Sequence, residues 1–178
     1  MVLSSAELHL LAGLQGLPVR QLIWDLNAIY FVSNQHTLKL EALADRPPTS
    51  DADRYDEASY ICVHEPETSG PFSDAGEEGY WYRVLARDIR IDKVELVRSY
   101  IGTPGSVLIR PNRRELSSVT VTPVDCGALI TTELGILPAV QLGHSFGFSH
   151  WPELRFYSRG EVKSELDGNY EILQLGGQ

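Results

Sequence analysis

Residues 20–43 read RQLIWDLNAIYFVSNQHTLKLEAL, and from Leu22 through Trp24, Leu26, Ala28 and Tyr30 to Val32 every second side chain is apolar. A period of two belongs to a strand with one buried face; a helix would space its apolar residues three and four apart. The intervening positions, Gln21, Ile23, Asp25, Asn27, Ile29 and Phe31, are mixed. After Ser33, Asn34, Gln35 and His36 the alternation resumes, with Leu38, Leu40 and Ala42 set between Thr37, Lys39 and Glu41. The stretch predicts a β-hairpin.

Matching the apolar faces selects the loop. A two-residue loop at Asn34-Gln35 sets Val32 against Thr37 and Tyr30 against Lys39, apolar on polar. A three-residue loop over 34–36 sets Val32 against Leu38, Tyr30 against Leu40 and Ala28 against Ala42, and is preferred. It asks His36 to adopt the left-handed conformation beside a bulge, which histidine tolerates better than most residues. His36 thus has a structural role and is not read as a catalytic base.

Outward from the hairpin, Ser4 and Glu7 have capping-box spacing before Leu8, Leu11 and Ala12. Gly16 and Pro18 stand ready to end a helix over residues 5–15 that packs on the sheet. Residues 58–63 form a short buried strand, with Tyr60 and Cys62 on one side and Ile61 and Val63 on the other. It lies between two acidic loops, 44–59 and 65–79, expected to project from one end of the sheet. Aromatic and β-branched content favours strands over a helix for residues 80–101, with a turn at 102–105, another strand at 107–109 and a basic loop at 110–114. Val119 to Val124 alternates valine with threonine until Pro123, which marks an edge or a strand end. A second hairpin spans 126–142 around Glu133-Leu134-Gly135, setting Ala128 against Val140. Asp167-Gly168 signals a third, flanked by Val162, Leu166, Tyr170, Ile172 and Leu173, with a short helix over 162–166 as the competing reading.

These patterns define a mainly β chain with a minor helical part: one antiparallel sheet, curved or barrel-like, with a short N-terminal helix, in a single domain over 1–178. A length of 178 residues suits one domain, and 43% hydrophobic with 22% charged residues is ordinary for a globular chain. The apolar start lacks a basic leader, so no signal peptide is expected, nor any membrane partner. Two cysteines make no disulfide scaffold, which points to the cytoplasm.

Charge is unevenly placed. Residues 41–80 hold eleven acids against Arg46 and Arg54, and so match the formal charge of −9 on the whole chain. Residues 90–114 reverse the sign, with six bases against Asp92 and Glu95. An acidic total argues against nucleic acid as a partner, because phosphate neutralisation needs basic surface.

The densest chemical feature is His144, Phe146, Phe148, His150 and Trp151 followed by Phe156 and Tyr157, with Gly143 and Gly147 letting the chain bend. Aromatic side chains supply large contact area, so these seven are the candidate binding residues, although aromatics also serve as ordinary core. Cys62 and His64 share a face of one strand, and Cys126, His144 and His150 are the other residues that could join them. The paired Cys-x-x-Cys and His-Glu-x-x-His spacings of zinc sites are missing, so no metal ligand, catalytic residue or cofactor is assigned. Neither Gly102 to Gly105 beside Arg110, Arg113 and Arg114, nor Asp51, Asp53, Asp56 and Glu57, has the order of a phosphate or calcium loop.

The expected function is a non-catalytic binding or regulatory protein that presents acidic loops and an aromatic patch to a protein partner with a basic surface. Two alternatives stand beside it: a small-molecule hydrolase or metal-dependent enzyme using Cys62, His64, Cys126, His144 and His150, and a binder of a small apolar ligand inside a barrel. Nothing in the sequence fixes an oligomeric state.

Overall fold

The computed structural model describes residues 2–25, 28–45, 58–66, 82–103, 107–108, 120–133, 135–136, 139–140, 156–157 and 170–175. Helix α1 (Ser5–Gly13) opens the chain with the expected capping box. The Ser4 hydroxyl accepts from the Glu7 amide at 3.3 Å while Glu7 Oε2 accepts from the Ser4 amide at 2.8 Å. Gly16 takes a left-handed φ of +82° just beyond the helix, a conformation glycine adopts without side-chain strain. Its amide donates to the carbonyl of Ile91 at 2.7 Å, which ties the helix exit to the sheet.

The strands are β1 (Pro18–Asp25), β2 (Ala28–Val32), β3 (Thr37–Asp45), β4 (Ala58–His64), β5 (Tyr82–Thr103), β6 (Val107–Leu108), β7 (Thr120–Thr132), β8 (Gly135–Ile136), β9 (Ala139–Val140), β10 (Phe156–Tyr157) and β11 (Tyr170–Gln174). All the described pairings are antiparallel, and the sheet runs β10-β9-β7-β5-β1-β2-β3-β4, with β6 and β11 also on β5 and β8 on β7. It curls into a half-barrel, and β4, at one end of the order, packs against β7.

The opening stretch makes three strands rather than two. The chain reverses between Asp25 and Ala28, which pair with each other, so the long alternating run is itself a hairpin. A reversal of this length inverts parity: Leu22 and Trp24 of β1 lie opposite Phe31 and Ile29 of β2, and opposite residues share a face. Register at the next turn is therefore the one the sequence argued against, with Val32 opposite Thr37, Phe31 opposite Leu38 and Tyr30 opposite Lys39. Phe31, Ile29, Leu38 and Leu40 form the core with Leu22. Ala28 and Tyr30 join Ile23 in a smaller cluster on the other face. The Tyr30–Lys39 pairing is favourable because the ammonium stands 5.6 Å from the ring centroid. His36 is not left-handed; Asp88, φ 49°, is the non-glycine residue with positive φ among those described. Ser33 organises the turn instead, its Oγ accepting from the amides of Gln35 and His36.

Residues 82–103 form one long strand that belongs to both halves of the sheet: its first half pairs with β1 and its second with β7 and β11. Register shifts at Leu85 and Asp92 let it bend. The second shift explains why the buried positions change from odd, Ile89 and Ile91, to even, Val94 and Leu96, all in one core cluster. Strand β7 shifts likewise at Cys126, between Asp125 opposite Arg98 and Gly127 opposite Val97. Pro123 does not end this strand; it sits within it, opposite Tyr100.

At the second hairpin Ala128 faces Val140 as expected. The connection is one residue shorter than expected, because Thr132 pairs with Gly135. Strand β11 is the second arm of the Asp167-Gly168 signal; it pairs with β5, and its predicted first arm lies outside the described residues. Acidic residues also follow a different plan. Ala44 and Asp45 pair with Ser59 and Ala58 as strand, and the acid-rich segments attach to β4 at opposite ends, since a single strand separates them. Residues 46–57 and 67–79 lie outside the described residues, as do the basic loop and residues 162–166.

The inward face is filled by Leu11 and Leu14 at the end of α1 with Phe31, Leu40, Ile61, Ile91 and Leu96. Among the described residues no helix is long and apolar enough to cross a membrane.

Candidate functional site

Strands β3 and β4 pair so that Glu41 lies opposite Cys62 and Lys39 opposite His64. Their neighbours Leu40, Ala42, Ile61 and Val63 belong to the inward core. Alternation therefore sends Lys39, Glu41, Cys62 and His64 to the outer face together. Glu41, Cys62 and His64 each place one ligand atom within 4.8 Å of the other two. Cys62 Sγ is 3.9 Å from His64 Nδ1, and His64 Nε2 is 3.9 Å from Glu41 Oε2. The other carboxylate oxygen, Oε1, is held by Lys39 Nζ at 2.9 Å. The Glu41 side chain is 17% exposed and that of His64 44%, so the group is reached from solvent through the imidazole.

Burial pushes the Cys62 thiol up to about 11, and the carboxylates of Glu41 and Glu7 push in the same direction against Lys39. Glu7 comes from α1: its Oε1 accepts from the Val63 amide at 3.3 Å, so one carboxylate caps the helix and covers a backbone donor of β4. Burial alone would raise the Glu7 pKa, but hydrogen bonds from the Ser4 hydroxyl, the Ser4 amide and the Val63 amide outweigh it and hold the carboxyl low.

A second polar group lies where β5, β7 and β11 meet. Arg98 binds Asp125, which also accepts the Leu3 amide at 2.7 Å. Glu171 lies opposite Arg98 on the neighbouring strand, and Tyr100 donates its hydroxyl proton to Glu171. This group fastens the N-terminal segment to the sheet.

The cysteine and histidine candidates divide. Cys62 and His64 come together as their spacing predicts. Cys126 is fully buried in a separate cluster with Val97, Val124 and Leu129, its thiol donating to the Val97 carbonyl at 3.4 Å and its pKa pushed up by burial. His144, Phe146, Phe148, His150 and Trp151 lie outside the described residues. Phe156 and Tyr157 form β10 at the other end of the sheet order, pairing with Val140 and Ala139.

Sequence reasoning missed Glu41. Its place on the polar side of β3 was legible, but which residue of β4 it meets depends on a register that no local pattern encodes. No protein-family model matches the chain, and neither a curated protein nor a solved structure matches it.

Proposed function

We propose that this chain is a non-catalytic binding protein whose acidic segments and aromatic patch receive a protein partner with a basic surface. The observation that carries the reading is the charge placement: residues 41–80 hold eleven acids against two bases, and the richest parts of that segment attach to the two ends of β4. Concentrated charge of one sign steers a partner of opposite sign and sets the rate of encounter. Among the described residues Phe156 and Tyr157 lie on the terminal strand of the sheet order, and a strand at a sheet edge is where a second chain docks by backbone pairing. Cys62, held protonated by burial and by Glu41, is the reverse of the lowered thiol that a cysteine nucleophile needs. Two free thiols, Cys62 and Cys126, fit a reducing cytoplasm. The acidic balance argues against nucleic acid as the partner.

The test is binding of the full chain to purified basic and acidic proteins of similar size, followed by fluorescence anisotropy at rising salt. Basic proteins should bind and weaken with salt. Replacing Asp51, Asp53, Asp56 and Glu57 with their amides should weaken binding further. Equal binding to both sets, or no effect of the amide variant, would overturn the reading.

A further inference from the structure

We propose that Glu41, Cys62 and His64 form a three-ligand zinc site on the outer face of β3 and β4, with the fourth tetrahedral position left to water. The donor set selects the ion: a thiol sulfur and an imidazole nitrogen favour zinc over magnesium or calcium, which take oxygen ligands. Three protein ligands, one from β3 and two from β4, are the number found where zinc keeps an open position.

The geometry is close to what the ion requires. Zinc bonds of about 2.0–2.3 Å put tetrahedral ligand atoms roughly 3.5 Å apart. With one imidazole nitrogen counted as the ligand, the three ligand atoms lie within 4.8 Å of one another. Nδ1 is the nitrogen 3.9 Å from Cys62 Sγ, whereas the 3.9 Å contact to Glu41 Oε2 is made by Nε2, so the ion takes one ring nitrogen and the carboxylate must turn toward it. Closing the group takes side-chain rotation of the half-exposed imidazole and of Glu41 on a paired backbone. Lys39 opposes a cation here, but it holds Glu41 Oε1, leaving Oε2 as the oxygen that faces His64. One thiolate and one carboxylate balance the two charges of the ion, and because loading releases the thiol proton it raises the charge beside Lys39 by one.

The groups that act on the thiol are Glu41 and Lys39 from β3 and Glu7 from α1, with His64 on its own strand. The two carboxylates attract a dication to this position, and zinc must displace the thiol proton to take the sulfur. Binding forms the zinc–sulfur bond and sends the thiol proton to solvent, so uptake of the ion releases a proton at neutral pH.

The test uses the full chain, purified without a histidine tag and stripped with a chelator, titrated with Co²⁺ and then with Zn²⁺. One Co²⁺ per chain should bind with a thiolate-to-cobalt absorption band in the near ultraviolet, and Zn²⁺ should bleach it. Cys62→Ser should abolish the band, whereas Cys126→Ala should leave it. His64→Ala and Glu41→Gln should each weaken Zn²⁺ binding more than roughly tenfold, with circular dichroism confirming that each variant is folded. The proposal is overturned if no thiolate band forms, if the band survives Cys62→Ser, or if zinc affinity ignores both His64 and Glu41. None of these readouts involves a protein partner, so the zinc site and the binding reading stand or fall separately.

Discussion

Arg98 grips Asp125 with two hydrogen bonds across β5 and β7, Nε to Oδ1 at 2.6 Å and Nη2 to Oδ2 at 3.1 Å, and the carboxylate is fully buried. The hydrogen bond to Asp125 is the main reason the guanidinium pKa is raised. A two-pronged pair of this kind fixes both the distance and the angle between the strands. It forms beside the register shift at Cys126, where the ladder itself is irregular.

Removing one partner should be asymmetric. Arg98→Ala leaves a buried carboxylate that keeps the Leu3 amide as a donor but loses its charge partner, and should destabilise the fold by about 3–5 kcal/mol. Asp125→Ala leaves a guanidinium that still reaches solvent and faces Glu171, so it should lose less. Urea denaturation of the two variants gives the comparison. Equal losses would mean that the pair does not hold the buried charge.

Glu7 should make stability depend on acid. Its carboxyl is lower in the fold than its ordinary value of 4.5. Its contribution is therefore fully present above that value and fades as the pH falls through the lower folded value. Glu7→Gln should cost about 1 kcal/mol near neutrality, the usual size of a lost cap. The gap between wild type and variant should narrow in denaturation curves recorded at successively lower pH. A gap that stays constant into strong acid would refute the assignment.

The two thiols should differ in reactivity. Cys62 is half-buried and pushed up to about 11, so alkylation at neutral pH should be slow and should accelerate with each step toward that value. Glu41→Gln should speed it by removing a neighbouring carboxylate. Cys126 is fully buried and should react after denaturation. Mass spectrometry of iodoacetamide-treated protein distinguishes the two positions.

The register of β2 against β3 can be tested by truncation. Phe31→Ala empties a fully buried position and should destabilise by about 3–5 kcal/mol. Val32→Ala, on the half-buried opposite face, should cost about 1 kcal/mol. The three-residue loop would give the opposite order, since it makes Val32 the core residue.

Strand identity was legible from the sequence because alternation is a local property: Leu22 to Val32, residues 80–101 and residues 58–63 all read as β, and the described residues of each lie in strands. Helix α1 was legible because Ser4 and Glu7 are three residues apart and bond to each other directly. Phe31 and Ile29 were assigned to the wrong face. Both parities of that stretch are apolar, and a single reversal between Asp25 and Ala28 exchanges them without interrupting the run. In the candidate site, Cys62 and His64 were found from their spacing on one strand, whereas Glu41 was not.

What the sequence determined by itself is every feature carried by neighbours along the chain: the period of two, the capped first helix, the acidic excess around β4. Tertiary structure decided which side of each strand is interior, and that Glu41 comes to lie beside Cys62 and His64. The reason is physical. Side chains alternate strictly, so a turn or bulge that adds or omits one residue flips everything after it, and only packing against the other strands selects between the two outcomes.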